Sequence, residues 1–235
     1  MRTIAWFIYF WTYLVFLIPK MRKVERLDAE GRAAERDAIV QREVRNWANA
    51  LLRCAGVRVH VSGLENIPDE TAVFVSNHQG NFDIPILLTA LPHANGLVAK
   101  QELKKLPLIR TWMKHLTCVF IDRQNPRQSV AALGAAADNV RNGYSVIVFP
   151  EGTRSKGDKI GEFKSGAFKI ALKTKAPIIP VCIDGSYKVM EANGNWIRPA
   201  EVNVKILPPV FTEGLSKEDA KDLPEQVRSL IVSNK

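Results

Sequence analysis

Apolar and polar positions change period near Gly56, and the change divides the chain. From Ile4 to Pro19 the sequence IAWFIYFWTYLVFLIP is apolar on every face, with no stripe to mark an inner side. From Asp28 to Ala55 the spacing predicts a helix: Ile39, Val40, Val44, Trp47, Ala48, Leu51 and Leu52 recur three and four apart. After Gly56 the period falls to two. Val57, Val59 and Val61 alternate with Arg58 and His60, the mark of a half-exposed strand. Short β-rich runs follow at 71–76, 96–99, 118–122, 144–149, 177–183 and 202–207, with helical stretches at 83–91, 102–116, 127–142, 162–174 and 217–232. The helix at 127–142 is well bounded, by Asn125 as N-cap, Pro126 at its first turn and Gly143 past its end. Strands alternating with helices predict an α/β domain over residues 56–235, with a mainly parallel central sheet flanked by helices. Residues 1–55 read as N-terminal membrane-associating helices.

The apolar run is too short for a clear span. Fifteen helical residues reach about 22 Å, against about 30 Å for a bilayer core. No small-x-small cleavage site follows it, as a signal peptide would require. Aromatic residues favour the headgroup boundary, and Arg2, Lys20, Arg22, Lys23 and Arg26 flank the run with positive charge. The expectation is an interfacial or marginally spanning anchor through Trp6, Phe7, Phe10, Trp11 and Phe16, with the active site on the cytoplasmic side. The net charge of +9 supports an anionic partner such as a membrane surface or a phosphorylated substrate. It is uneven: residues 1–60 carry eleven basic against six acidic residues, and 119–175 carry ten against five. Nucleic acid is not expected, because the aromatics lie in the apolar run rather than among the bases. Cys54, Cys118 and Cys182 stand 64 residues apart, which gives neither a disulfide framework nor a metal site. No metal and no cofactor are therefore expected.

In open α/β sheets, ligands bind beyond the carboxyl ends of the strands. Three polar clusters fall there. The strand at 71–76 runs into Asn77-His78-Gln79-Gly80-Asn81-Phe82-Asp83, that at 118–122 ends on Asp122-Arg123, and that at 144–149 ends on Pro150-Glu151-Gly152-Thr153-Arg154-Ser155. Asp83, five residues after His78, is placed either to cap the next helix or to orient an imidazole that takes a proton. No Ser or Cys sits in a nucleophile elbow, so the hydroxyl to be activated belongs to the substrate. Gly152 permits a tight turn and Arg154 offers a planar fork for phosphate oxygens, with Lys156, Lys159 and Lys164 extending the positive field.

NHQGNFD, VFIDR, FPEGTRS and APIIPV occur in the order and at roughly the separations of the four sequence blocks of the glycerolipid acyltransferases. The chain most resembles their 1-acylglycerol-3-phosphate branch, over about residues 60–185. The resemblance implies His78 as catalytic base and Asp83 as its partner. It implies that Arg123, Glu151, Gly152, Thr153 and Arg154 bind the acyl acceptor, with Lys100 as an oxyanion or phosphate contact. The activity implied is transfer of an acyl chain from acyl-CoA or an acyl carrier protein to the 2-hydroxyl of lysophosphatidic acid, giving phosphatidic acid. Within the same chemistry, glycerol 3-phosphate or another lysophospholipid is the alternative acceptor; outside it, the alternative is a basic membrane-binding module.

Overall fold

The computed structural model describes residues 1–93 and 95–235. Three helices lead the chain: α1 (Arg2–Phe16), α2 (Ile18–Ala29) and α3 (Ala33–Ala55). The helix expected over Asp28–Ala55 is therefore two. Gly31 adopts φ +71° between them, a left-handed turn that a continuous helix cannot contain. The apolar run likewise divides at Leu17: Pro19 stands at the start of α2, and the two helix axes are bent by 45°. Gly56 closes α3 in the left-handed conformation, as a C-terminal cap does.

Among the described residues seven strands follow: β1 (Val57–Ser62), β2 (Val73–Ser76), β3 (Gly96–Lys100), β4 (Val119–Ile121), β5 (Val146–Val148), β6 (Ile178–Asp184) and β7 (Ala200–Ile206). Interleaved with them are α4 (Asp83–Ala90), α5 (Pro107–His115), α6 (Pro126–Arg141), α7 (Ser165–Thr174) and the closing α8 (Lys217–Ser233). The sheet order is β1-β7-β6-β2-β5-β3-β4. Every pairing is parallel except β6 with β7, so β1 and β7 run against the other five strands. The α6 boundaries follow the sequence signals, since the Asn125 side chain accepts the Gln128 N–H and Pro126 begins the helix.

Alternation along the central strands fills two apolar layers. Phe74, Ile147, Ile179, Val181 and Ile183 face one side and pack with residues of α1 to α5. Val73, Val75, Val146, Val148, Ile178 and Cys182 face the other and pack with α6, α7 and α8. The N-terminal helices belong to the first layer. Leu14, Leu17, Val24 and Leu27 are buried in it beside α3 and the sheet.

Trp6 is a correction to the expected anchor. It is only 8% exposed, packs on Phe82, and its indole N–H donates to the Leu51 carbonyl at 3.0 Å. Phe10 also turns inward, with its ring edge-on to Trp47 at 5.3 Å. Phe7, Trp11 and Phe16 do face outward, beside Ile4, Ile8 and Val15. No single helix among the described residues is long and apolar enough to cross a membrane.

Candidate active site

The central strands deliver the site. β2 ends on Ser76, and the next residue, Asn77, is buried and bonded both ways to β6: its amide donates to the Ile183 carbonyl and its oxygen accepts the Ile183 N–H, each at 2.8 Å. This clamp fixes where the following loop begins. His78 then reaches Asp83 through Nδ1 at 2.7 Å. Asp83 is fully buried and does not cap its own helix. Its Oδ2 instead accepts the N–H groups of Gln79 and Gly80, at 2.7 and 2.9 Å, and its Oδ1 accepts the Ser186 hydroxyl. These contacts fix where the carboxylate points, and through Nδ1 they fix the orientation of the imidazole ring. Nε2 of His78 makes no hydrogen bond among the described residues. The imidazole lies stacked on Phe149, centroids 4.1 Å apart, with 16% of the side chain exposed.

The loop after β5 is joined to the His78 loop through its backbone. Ser155 N–H donates to the His78 carbonyl at 2.8 Å, and Lys156 N–H to that of Gln79 at 3.0 Å. Arg154 therefore stands directly beside the imidazole loop. Gly152 takes φ +72°, and a side chain there would press on the Lys164 ammonium. Thr153 is exposed and its hydroxyl makes no bond among the described residues. Glu151 departs from expectation: its carboxylate is buried and bonded at both ends to backbone. Oε1 accepts the backbone N–H of His78 at 2.7 Å and Oε2 the Gly161 N–H at 2.8 Å, so it braces the two loops.

The outer strands contribute less directly. Arg123 follows β4, two strands beyond β5 and so about 10 Å across the sheet at the usual spacing. Burial lowers its pKa from the ordinary guanidinium value, with the Glu102 charge opposing; an arginine stays charged regardless. Lys100 closes β3 with its side chain exposed and no polar partner among the described residues. Burial pushes the Cys118 thiol up to about 12 and the Cys182 thiol to about 11, which disfavours the nucleophilic thiolate at both. Among the described residues, no group of His, Cys, Asp and Glu is arranged to hold a metal. Ser186 and Glu191 were not visible as site residues in the sequence; both arrive from the segment after β6.

The family described as Acyltransferase matches residues 58–184, from the second residue of β1 to the end of β6. The chain belongs to this acyltransferase family. A Mycoplasma pneumoniae protein named "Probable 1-acyl-sn-glycerol-3-phosphate acyltransferase" is 39% identical over 64% of this chain and 58% of its own length. The 1-acyl-sn-glycerol-3-phosphate acyltransferase of Saccharomyces cerevisiae is 32% identical over 75% of this chain and 59% of its own. The chain thus spans somewhat under three fifths of each of these curated relatives. The acyltransferase fold is matched over the whole chain by the crystal structure of the 1-acyl-sn-glycerophosphate (LPA) acyltransferase PlsC from Thermotoga maritima. That match has a TM-score of 0.75 and 29% identity, and covers 97% of the other chain.

Proposed function

We propose that this acyltransferase acylates the 2-hydroxyl of 1-acylglycerol 3-phosphate, giving phosphatidic acid. The observation that carries the reading is the His78–Asp83 pair: a buried carboxylate fixes Nδ1, Nε2 makes no bond among the described residues, and the backbone bonds the Arg154 loop to the His78 loop. His78 takes the proton from the acceptor hydroxyl as its oxygen bonds to the thioester carbonyl carbon. The carbonyl π electrons move to oxygen. When the carbonyl re-forms, the C–S bond breaks and the imidazolium returns the proton to the departing thiolate of coenzyme A or acyl carrier protein. Arg154, with Arg123 from the flanking strand, holds the acceptor phosphate so that the hydroxyl lies within reach of Nε2. Lys100 at the end of β3 is a cation for the developing oxyanion or the phosphate. No cofactor enters this scheme.

An apolar cavity of about 160 Å³ supports a fatty substrate. Leu14, Leu17, Trp47, Ile84, Leu88 and Trp112 help to line it, and Ile84 is the neighbour of Asp83. It is suited to an acyl chain. The outward residues of α1, with the basic residues of α2, form the attachment to an anionic membrane on its cytoplasmic face.

The test is direct. Purified protein is incubated with lysophosphatidic acid and either acyl-CoA or acyl carrier protein thioester, with glycerol 3-phosphate as a comparison acceptor, and the lipids are resolved. Phosphatidic acid is the expected product with at least one donor. Acylation of glycerol 3-phosphate alone would move the reading to the other acceptor, and no acyl transfer with either would overturn it.

A further inference from the structure

Arg154 is already occupied on one side. Its Nη1 donates to Glu191 Oε1 at 3.1 Å, and the same oxygen accepts the Asn81 N–H at 2.8 Å. Glu191 opens a short 3₁₀ turn (Glu191–Asn193) after β6, far along the chain from both partners. Its side chain is only 2% exposed, whereas that of Arg154 is 32% exposed. The second carboxylate oxygen, Oε2, is buried and has no hydrogen-bond partner among the described residues. A Cβ on Gly80 would collide with that carboxylate, so the glycine makes the room it occupies. A buried, half-satisfied carboxylate is costly to keep. Here all its bonds go to two elements of the site, the His78 loop and Arg154.

We infer that Glu191 is a positioning residue that turns the Arg154 guanidinium toward the acceptor phosphate and locks it to the His78 loop. The inference rests on Arg154 being the phosphate ligand. A guanidinium has five N–H donors in a rigid plane. With Nη1 tied to a buried anion, Nε and Nη2 make no other bond among the described residues and remain for two phosphate oxygens. Because Glu191 also holds Asn81, it fixes the distance between that fork and the imidazole of His78, three residues before Asn81 in the same loop. The benefit is entropic: a long side chain is ordered before the acceptor arrives. The negative charge of Glu191 opposes the phosphate, and the inference requires that orientation outweigh this repulsion.

Glu191→Gln tests it, since the amide oxygen still accepts the Asn81 N–H while the charge that draws Arg154 is lost. The expected result is a rise in KM for lysophosphatidic acid of about 2- to 12-fold, the equivalent of ordering one rotamer-rich side chain. The donor KM and kcat should change by less than about twofold. Glu191→Met, which fills the space with no acceptor, is measured in parallel and should give the larger rise. Circular dichroism checks that both variants are folded. The same substitutions are then made in an Arg154→Ala background, where their effect on acceptor KM should vanish. If Arg154→Ala alone leaves that KM unchanged, the phosphate assignment fails and Glu191 loses its object. If Arg154→Ala raises it but the Glu191 effects persist undiminished, the inference alone is overturned. A fall in acceptor KM for Glu191→Gln also overturns it, since Glu191 would then compete with the phosphate.

Discussion

Asp83 takes four donors on two oxygens, and only one of them, His78, was legible in the sequence. The spacing from His78 to Asp83 brings the pair together within one loop. Ser186 lies 103 residues from Asp83 and meets it only because β6 runs beside β2. No local pattern in IDGS announces that contact; the nearest sequence signal is that a polar residue follows a buried strand. Glu151 was legible as a site residue but not in its role, since a motif reveals a carboxylate without revealing what faces it. His78→Ala should lower kcat by roughly 10²–10⁴-fold with the melting curve unchanged, the usual contribution of a positioned base. Asp83→Asn should lose less than His78→Ala in the same assay. Ser186→Ala leaves one buried carboxylate oxygen without its donor. Urea unfolding should show a loss of about 1–3 kcal/mol, with Ser186→Thr recovering most of it.

At the scale of elements, α1 shows why an all-apolar run is hard to read. Inward positions recur at helical spacing (Trp6, Phe10, Tyr13, Leu14 and Leu17), but equally apolar residues occupy the outer face, so the sequence carried no contrast between them. The two faces are separable by substitution. Trp6→Ala removes a buried indole and its bond to Leu51, and should cost about 3–5 kcal/mol of stability. Changing Phe7, Trp11 and Phe16 together to serine should leave the melting temperature nearly unchanged. It should release the protein from anionic vesicles in a flotation assay; vesicle binding equal to the parent's would place the attachment elsewhere. Deleting residues 1–20 would confuse the two, because it strips Leu14 and Leu17 from the core along with the outer aromatics.

Across the whole molecule, the α/β class and its parallel centre were legible from alternating periods, whereas the reversal of β1 and β7 was not. Strand direction depends on how the chain crosses the sheet, and the period-two pattern of 202–207 is the same either way round. Far from the site, a polar network joins α2, α3, α5 and the turn before β5. Arg36 bonds Asp28, Asp37 and the Tyr144 hydroxyl, with His115 buried beside Asp28. Desolvation lowers the His115 pKa below 6.5, outweighing the Asp28 charge that raises it. The unfolded chain therefore binds this proton more readily. Stability from His115 is complete above about pH 6.5 and declines as pH falls from there toward the lower folded value, with a slope of at most about 1.4 kcal/mol per pH unit. Thermal melts between pH 7 and 5 should show this decline, and His115→Gln should flatten it. Asp28, held low chiefly by its bond to Arg36, titrates further down, below its ordinary 3.8.

The two faces of α1 also bear on how a lipid substrate would travel. Leu14 and Leu17 line the apolar cavity, while Phe7, Trp11, Val15 and Phe16 stand on the outside of the same helix. With that outer face seated among lipid tails, bilayer and cavity are separated by the thickness of one helix. A fatty tail drawn through water pays about 0.8 kcal/mol for each methylene, on the order of 12 kcal/mol for a tail of about fifteen. A tail that slides past α1 from one hydrocarbon phase into another avoids nearly all of that barrier, and only the phosphate end need ever stay wet.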